Sequence, residues 1–509
     1  MKKHTPTQFL LWTWLLLCPL ATIANNLQIK ELSVISSQKI RCLVSWENSW
    51  RLDGTNELPQ NHDAIWLFVK VKNAQNIWQH LDLSTEIAQY SQSNALRLQP
   101  SNDHKGLFIS RNTTGSGTTE GYIEIQTQEA MASDIRAVKV CGIEMVYVPE
   151  GSFWVGDSLS KFSLKRGLDA APFQITHNEE ISIGTTAQTI SGTGEYQPPQ
   201  AIPSAYPKGF SAFYAMKYEI TQAQYADFLN TLTAAQQSSR VTTDISAAAG
   251  TSAFTQGNTF RNGLVIAEAA QGNTPAVFAC NANENQLFNE ENDGQNRACN
   301  WLNWADVAAY LDWAALRPLT ELEFEKAARG TTYPLKGEFA WGTNLVTDAN
   351  TPLLDGTAEE SVSESVSGDY GIANHSLPFG QTYLLGILRA GFAGTANSNR
   401  RSMGASFYGL AEMSGNVWEM CINVHTTSGL TFNGQHGDGE INATGTANAA
   451  TWPSDAAGTI SRGGGWNSLI FNNLSYEFRD LAISDRFYAN TPPTNRRNTT
   501  GGRGGRSQP

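Results

Sequence analysis

The chain has 509 residues, of which 40% are hydrophobic and 16% charged, and a net charge of −12; that length allows about two to four domains of ordinary size. An acidic surface argues against nucleic acid and anionic membranes as partners. No internal apolar run approaches the roughly 20 residues that cross a bilayer.

The first stretch is a targeting signal by its pattern. Lys2 and Lys3 precede an apolar run over residues 9–23, and Thr22, Ile23 and Ala24 resemble a signal-peptidase site, so residues 1–24 are expected to be removed on export to the periplasm or the extracellular space. Leu17 before Cys18 is larger than the small residue a lipoprotein signal wants, which disfavours a lipid anchor. Loss of Lys2 and Lys3 takes the net charge to about −14. Cys42, Cys141, Cys280, Cys299 and Cys421 remain, and an odd count in an oxidising compartment leaves at least one unpaired. Cys280 and Cys299 bracket one loop and are the expected disulfide.

Residues 25–142 read as β-rich. Residues 40–46, 64–72 and 121–126 are short runs of β-branched and aromatic residues separated by turns, and a β-sandwich is expected. Only residues 85–96 have a helical look. Trp46, Trp50, Trp66 and Trp78 are expected in the core and along edges rather than as a carbohydrate platform.

Strands are expected over residues 145–155 and 210–217. Thr221 and Gln224 form a capping box before a helix with the face Tyr225, Phe228 and Leu229. Residues 158–209, 233–279 and 331–406 read mostly as loop. The loop 281–293 has oxygen side chains at EF-hand-like positions, but asparagines replace aspartates and Gln286 replaces the usual glycine; a calcium loop and a plain polar loop are equally open. Residues 298–330 then read as two helices end to end. Asn303 caps the first, whose face is Val307, Tyr310, Leu311 and Ala314; Thr320 and Glu323 box the second, and Gly330 lets the chain leave. Near the end, Arg486, Arg496, Arg497, Arg503 and Arg506 follow Asp485 with no further acid. They are expected on the solvated rim of a strand.

The segment LRPLTELEFEKAARG resembles the R-L-P-T-E-x-E-W-E-x-A-A-R-G signature of the formylglycine-generating enzyme (sulfatase-modifying factor) superfamily. EMVYVPEGSFWVGD, FYAMKYEITQAQYADFL, FYGLAEMSGNVWEM and SRGGGW follow that family's order, so the resemblance covers residues 144–506. It implies an α+β, C-type-lectin-like fold with much irregular loop over residues 143–509, preceded by the β-rich domain.

Enzymes of the family hold copper with two cysteines in a G-G-S-x-x-C-x-x-x-x-C segment. Here Ser468 and Asn473 stand at those positions and Gly465 replaces the serine. A hydroxyl and an amide are poor ligands for a soft ion, so copper is not expected. The family's iron-dependent branch is excluded too, because the histidines are scattered without metal-ligand spacing. The resemblance does imply calcium, with Glu412, the carbonyls of Gly415 and Val417, and Glu419 as ligands, and Asn350 and Thr351 at a second site. The function it suggests is a non-catalytic binding or assembly scaffold using a C-terminal face, with Trp466, Asn467, Asn472, Arg479, Arg486 and Tyr488 available to a protein or glycan ligand. The alternative is a divergent formylglycine-generating oxidase acting on a cysteine of sulfatase-type substrates.

Overall fold

A computed structural model of the chain describes residues 26–55, 59–160, 162–376, 383–395, 397–468, 480–491 and 493–509. The expected signal peptide, with Cys18, lies outside the described residues. Among the described residues the main feature is a 12-stranded sheet. Its order is Arg317–Pro318, Gly504–Ser507, Phe213–Met216, Ala137–Val148, Asn61–Lys72, Lys39–Leu52, Gly115–Gln126, Ser91–Gln92. The fold is mostly β with few helices, as an α+β reading requires.

Two strands hold this sheet together. Ala137–Val148 pairs antiparallel with Asn61–Lys72 along nearly its whole length, from Lys72 opposite Ala137 to Asp63 opposite Val146. Its last residues also pair with Phe213–Met216, Met145 lying opposite Met216. The position between residues 142 and 143 therefore falls inside a strand. Asn61–Lys72 is buried on both faces: Ile65, Leu67 and Val69 share a cluster with Ile40, Val44, Trp46, Ile123 and Ile125, while Ala64, Trp66 and Phe68 join the main core with Trp313 and Ala314. A doubly buried strand reads as a continuous apolar run rather than an alternating one, and this is the run seen at residues 64–69. Trp66 donates its indole N–H to the Ala314 carbonyl at 2.8 Å. Trp46 and Trp66 are thus core residues, whereas Trp50 and Trp78 are half-buried. The only helical element over residues 85–96 is a single 3-10 turn, Ile87–Gln89, and Ser91–Gln92 is a strand.

Four of the helices among the described residues are α1 (Gln222–Leu229), α2 (Ala234–Arg240), α3 (Trp304–Trp313) and α4 (Glu321–Arg329), and α3 packs on Arg317–Pro318 of the sheet. The capping boxes expected at Thr221 and Gln224 and at Thr320 and Glu323 are both formed, and Asn303 caps α3 together with Asp306. Gly504 shows why the last strand is glycine-rich. A Cβ there would sit 2.2 Å from the Leu311 side chain, so only glycine lets the strand pass beneath α3.

Helix α4 departs from an ordinary surface helix, because Glu321, Glu323, Glu325, Lys326 and Arg329 are all buried. Each acid meets an arginine from elsewhere. Arg317 grips Glu323 with two bonds of 2.8 and 2.7 Å. Arg486 bonds Glu321 and reaches Glu325 at 2.6 Å; Arg462 lies 3.4 and 3.5 Å from the same two acids. Arg329 bonds Glu325 at 2.8 Å and also pairs with Glu338. Burial would raise Glu325, but Arg486, Arg329 and Arg462 hold its carboxyl down at about 2.

Of the five tail arginines expected on a solvated rim, Arg497 is exposed as expected, and the others are not. Arg486, Arg503 and Arg506 are almost fully buried, and Arg506 lies over the Trp66 ring at 4.1 Å while pairing with Asp103. Arg496 holds Asp306 with two bonds of 2.7 Å. The expected Cys280–Cys299 bridge is also corrected, since Cys42, Cys141, Cys280, Cys299 and Cys421 are all free and buried. Cys280 ends the hairpin strand Val277–Cys280, with its N–H held by Asn289. Cys299 is held through its N–H to the Ile220 carbonyl, and its thiol is turned toward the Asn300 carbonyl.

Lys326 has no carboxylate bonded to it. Its ammonium donates to the Phe210 carbonyl at 3.1 Å and faces the rings of Phe153 and Phe213. Burial lowers its pKa to about 7 from 10.5. The unfolded chain then binds more protons between pH 7 and 10.5, so this residue makes stability rise with pH in that window by up to about 1.4 kcal/mol per unit. Lys326→Met should stabilise the protein at neutral pH and remove that part of the slope, as denaturant titrations at pH 7 and pH 9.5 would measure.

Candidate functional site

The turn over residues 412–419 is the centre of the site. Glu412 and Asn416 have left-handed backbone, with φ of 51° and 62°, and Gly415 lies at 107°. A Cβ on Gly415 would meet the Asn374 carbonyl oxygen at 2.8 Å, so glycine is needed on steric grounds as well. Asn416 locks the turn: its amide donates to Glu219 at 2.6 Å, and its oxygen accepts from the Leu388 N–H at 2.8 Å and from Asn374 at 3.2 Å. The Gly415 N–H bonds the Gly463 carbonyl, and the Trp466 N–H bonds the Asn416 carbonyl, both at 2.8 Å. The segment 461–468 is thereby laid against the turn.

Three buried carboxylates surround one guanidinium here. Arg503 takes both oxygens of Glu419 at 2.8 Å. It also donates to the carbonyls of Met216 and Lys217 at 2.9 Å and of Ala411 at 2.6 Å. Glu219 accepts from Asn416 and from the Val417 N–H. Glu412 accepts from the Gly391 N–H at 2.8 Å, and its other oxygen is buried without a partner. Arg503 and, near Glu412, Arg389 are two cations against three anions, so the acids are not all neutralised. Burial, and then the neighbouring carboxylates Glu412 and Glu419, raise Glu219 well above the carboxylate range, and burial raises Glu412 to about 7.

This geometry bears on the two calcium positions implied by resemblance. At the 412–419 turn, Glu419 faces a guanidinium on both oxygens, so the donor set as arranged does not fit a second cation. Positions 350–351 are different. The Thr351 N–H donates to Glu364 at 3.3 Å, and Asp348 has both oxygens buried without a closed hydrogen bond. Burial raises Asp348 to about 7, with the Glu364 charge acting in the same direction and the His375 N–H against it. Asp348 and Glu364 beside Asn350 and Thr351 are oxygen donors of the kind calcium takes, although among the described residues no group of three or more His, Cys, Asp or Glu is placed to hold a metal. The loop 281–293 closes on itself instead: Asn285 donates to Glu290 at 2.5 Å, and Asn283 donates to Asn292 at 2.9 Å.

The expected ligand-face residues separate. Trp466 is buried, stacked on Phe260 at 5.4 Å and donating its indole N–H to the Asn498 carbonyl. Arg486 is consumed by α4. Tyr488 is half-buried, edge-on to Trp418 at 5.0 Å, and Asn467 is exposed. Asn472, Asn473 and Arg479 lie outside the described residues. Ser468 is buried; its hydroxyl accepts from the Gly465 N–H at 3.0 Å and bonds the Asp480 carboxylate.

Glu219 did not stand out in the sequence, and Arg503 stood out only as one of the tail arginines. The available signals were an acid inside the apolar block MKYEIT and an arginine between two glycine pairs, GGRGGR. The sequence profile of the sulfatase-modifying factor enzyme 1-like domain matches residues 133–504. No curated protein matches the chain.

Arg503→Gln strands Glu419 in the interior and should cost about 3–5 kcal/mol in denaturant unfolding. Adding Glu419→Gln to that variant should recover part of the loss, giving a coupling that a double-mutant cycle measures. The size of this coupling should be the same with calcium and with chelator.

Proposed function

The chain belongs to the family of sulfatase-modifying factor enzyme 1-like domains, and on that premise we propose that it is an exported, non-catalytic binding or assembly protein. The observation that carries this reading is Ser468. Copper chemistry in the family requires two thiolates close together, and at the first of those positions this chain has a hydroxyl that pins the Gly465 turn to Asp480. No cysteine follows Cys421. Burial pushes Cys42, Cys141 and Cys280 up to about 12 and Cys299 and Cys421 well above the ordinary thiol value, so these thiols are neutral in the protein by itself. A thiol held neutral is a poor nucleophile and a poor ligand for copper(I).

On this reading residues 1–24 direct export, residues 25–142 are a β-rich part joined to the family domain through one sheet, and the scaffold presents its ligand from the side carrying Asn467 and Tyr488. Side chains of that kind, an exposed amide and an aromatic edge, suit adaptable recognition of a protein or a glycan. Calcium has a structural part only. Asp348, Glu364, Asn350 and Thr351 would hold it, and the ion would supply the charge that those two carboxylates lack.

Two outcomes are expected. Purified protein incubated with copper, air and a thiol reductant should leave a Cys-x-Pro-x-Arg peptide unchanged, without the loss of about 18 Da that marks thiol-to-aldehyde conversion; conversion that tracks with bound copper would establish the oxidase instead. Calcium should raise the thermal midpoint over that in chelator, by an amount set by its occupancy, and Asp348→Asn should abolish the difference.

A further inference from the structure

Three buried ionisable side chains meet where the strands Asn61–Lys72, Ala137–Val148 and Phe213–Met216 lie side by side. Lys217 follows the last of these strands, Glu144 lies on the middle one and Asp63 on the first. The Lys217 ammonium is 2.9 Å from Glu144 Oε2 and 3.5 Å from Asp63 Oδ2. The lysine, glutamate and aspartate side chains are 2%, 6% and 1% exposed, so bulk water is kept from the group. The rings of Trp50 and Tyr218 lie 5.0 and 5.2 Å from the lysine nitrogen.

One lysine between two acids is more than a buried ion pair needs. Asp63 is also held on both oxygens. Oδ1 accepts from the Ser49 hydroxyl and the Trp50 N–H, both at 3.0 Å, and Oδ2 accepts from the Trp46 indole N–H at 3.1 Å. Two donors on one carboxyl oxygen stabilise the negative charge that gathers there when the carbon is attacked. Burial raises the Asp63 carboxyl to about 6, with Lys217 acting against it and Glu144 with it. Burial lowers the Lys217 amine, but Glu144, Tyr218 and Asp63 outweigh it, so the resting lysine carries its proton.

We infer that Lys217 and Asp63 condense to an isopeptide bond, with Glu144 carrying the protons. The lysine first passes one proton to Glu144. Its nitrogen then attacks Asp63 Cγ while Oδ1, held by Ser49 and Trp50, takes the negative charge. The C–N bond forms, the Cγ–Oδ2 bond breaks, and Oδ2 leaves as water with the two protons that the nitrogen has given up. Glu144 ends as it began, and nothing is oxidised or reduced. In open water hydrolysis would win. A site that excludes water and holds the reacting groups together favours the amide, and positioning alone can be worth an effective concentration on the order of 10⁵–10⁸ M. Glu144 also lines a cavity of about 280 Å³, where the released water can go. The bond ties the β-rich part to the family domain, because Asp63 lies outside the matched residues 133–504 and Lys217 inside them.

Tryptic mapping of the whole purified protein after denaturation tests this. A branched peptide joining Lys217 to Asp63 is expected, lighter than its two linear parts by about 18 Da, one water. The linear peptide 209–217 should be missing, because trypsin does not cut after an acylated lysine. Lys217→Arg and Glu144→Gln should each give linear peptides only. The wild-type map decides the matter even where a variant fails to fold. Recovery of peptide 209–217 in full amount from the wild type overturns the inference, as does a branch that joins Lys217 to Glu144. A branch that survives Glu144→Gln overturns the proton-carrying role.

Discussion

A helix with five charged side chains in the interior exists only where opposite charges are brought to it, and α4 is such a helix. Taking a carboxylate out of water costs several kcal/mol even after relaxation, and Glu321, Glu323 and Glu325 are all buried. The cost is offset by Arg317, Arg329, Arg462 and Arg486. Three of these, Arg317, Arg462 and Arg486, come from outside the helix, two of them more than a hundred residues further on. The helix therefore fixes where the segment around Arg462 and the one around Arg486 must run. The same segments form the face beside the 412–419 turn.

The second constraint is the strand Asn61–Lys72. Because Ile65 and Leu67 face one core and Trp66 and Phe68 face the other, neither the β-rich region nor the family domain is closed without it. Lys70 reinforces the junction by donating to the Trp313 carbonyl at 2.8 Å, and Arg506 does so through Trp66 and Asp103.

The third theme is substitution of one kind of cation for another. Where family resemblance implies a calcium ion at the 412–419 turn, Arg503 lies between the carboxylates and bonds Glu419 on both oxygens. A guanidinium supplies donors in a fixed plane and no exchangeable coordination positions. The turn is thereby stabilised by a residue of the chain itself, and Ser468 similarly closes a turn where the resemblance implies a metal ligand.

What could be read from the sequence alone was local. The capping boxes at Thr221 and Thr320 and the cap at Asn303 were legible because each is completed within four residues, and the strands around residues 40–46 and 64–72 because β-branched and aromatic residues cluster there. The family followed from ordered motifs, and the missing thiols from the letters at 468 and 473. Tertiary structure decided the rest. Whether Arg486, Arg503 and Arg506 meet solvent or a buried acid depends on Glu321, Glu419 and Asp103, which lie 165, 84 and 403 residues away along the chain. Trp466 became core rather than a ligand contact because Phe260 stacks on it. Cys280 and Cys299 are both free and buried although they flank one loop. Periodicity and capping are settled within a turn or two of chain. The fate of a charge or a large aromatic is settled by which distant group removes it from water, and only the folded arrangement specifies that.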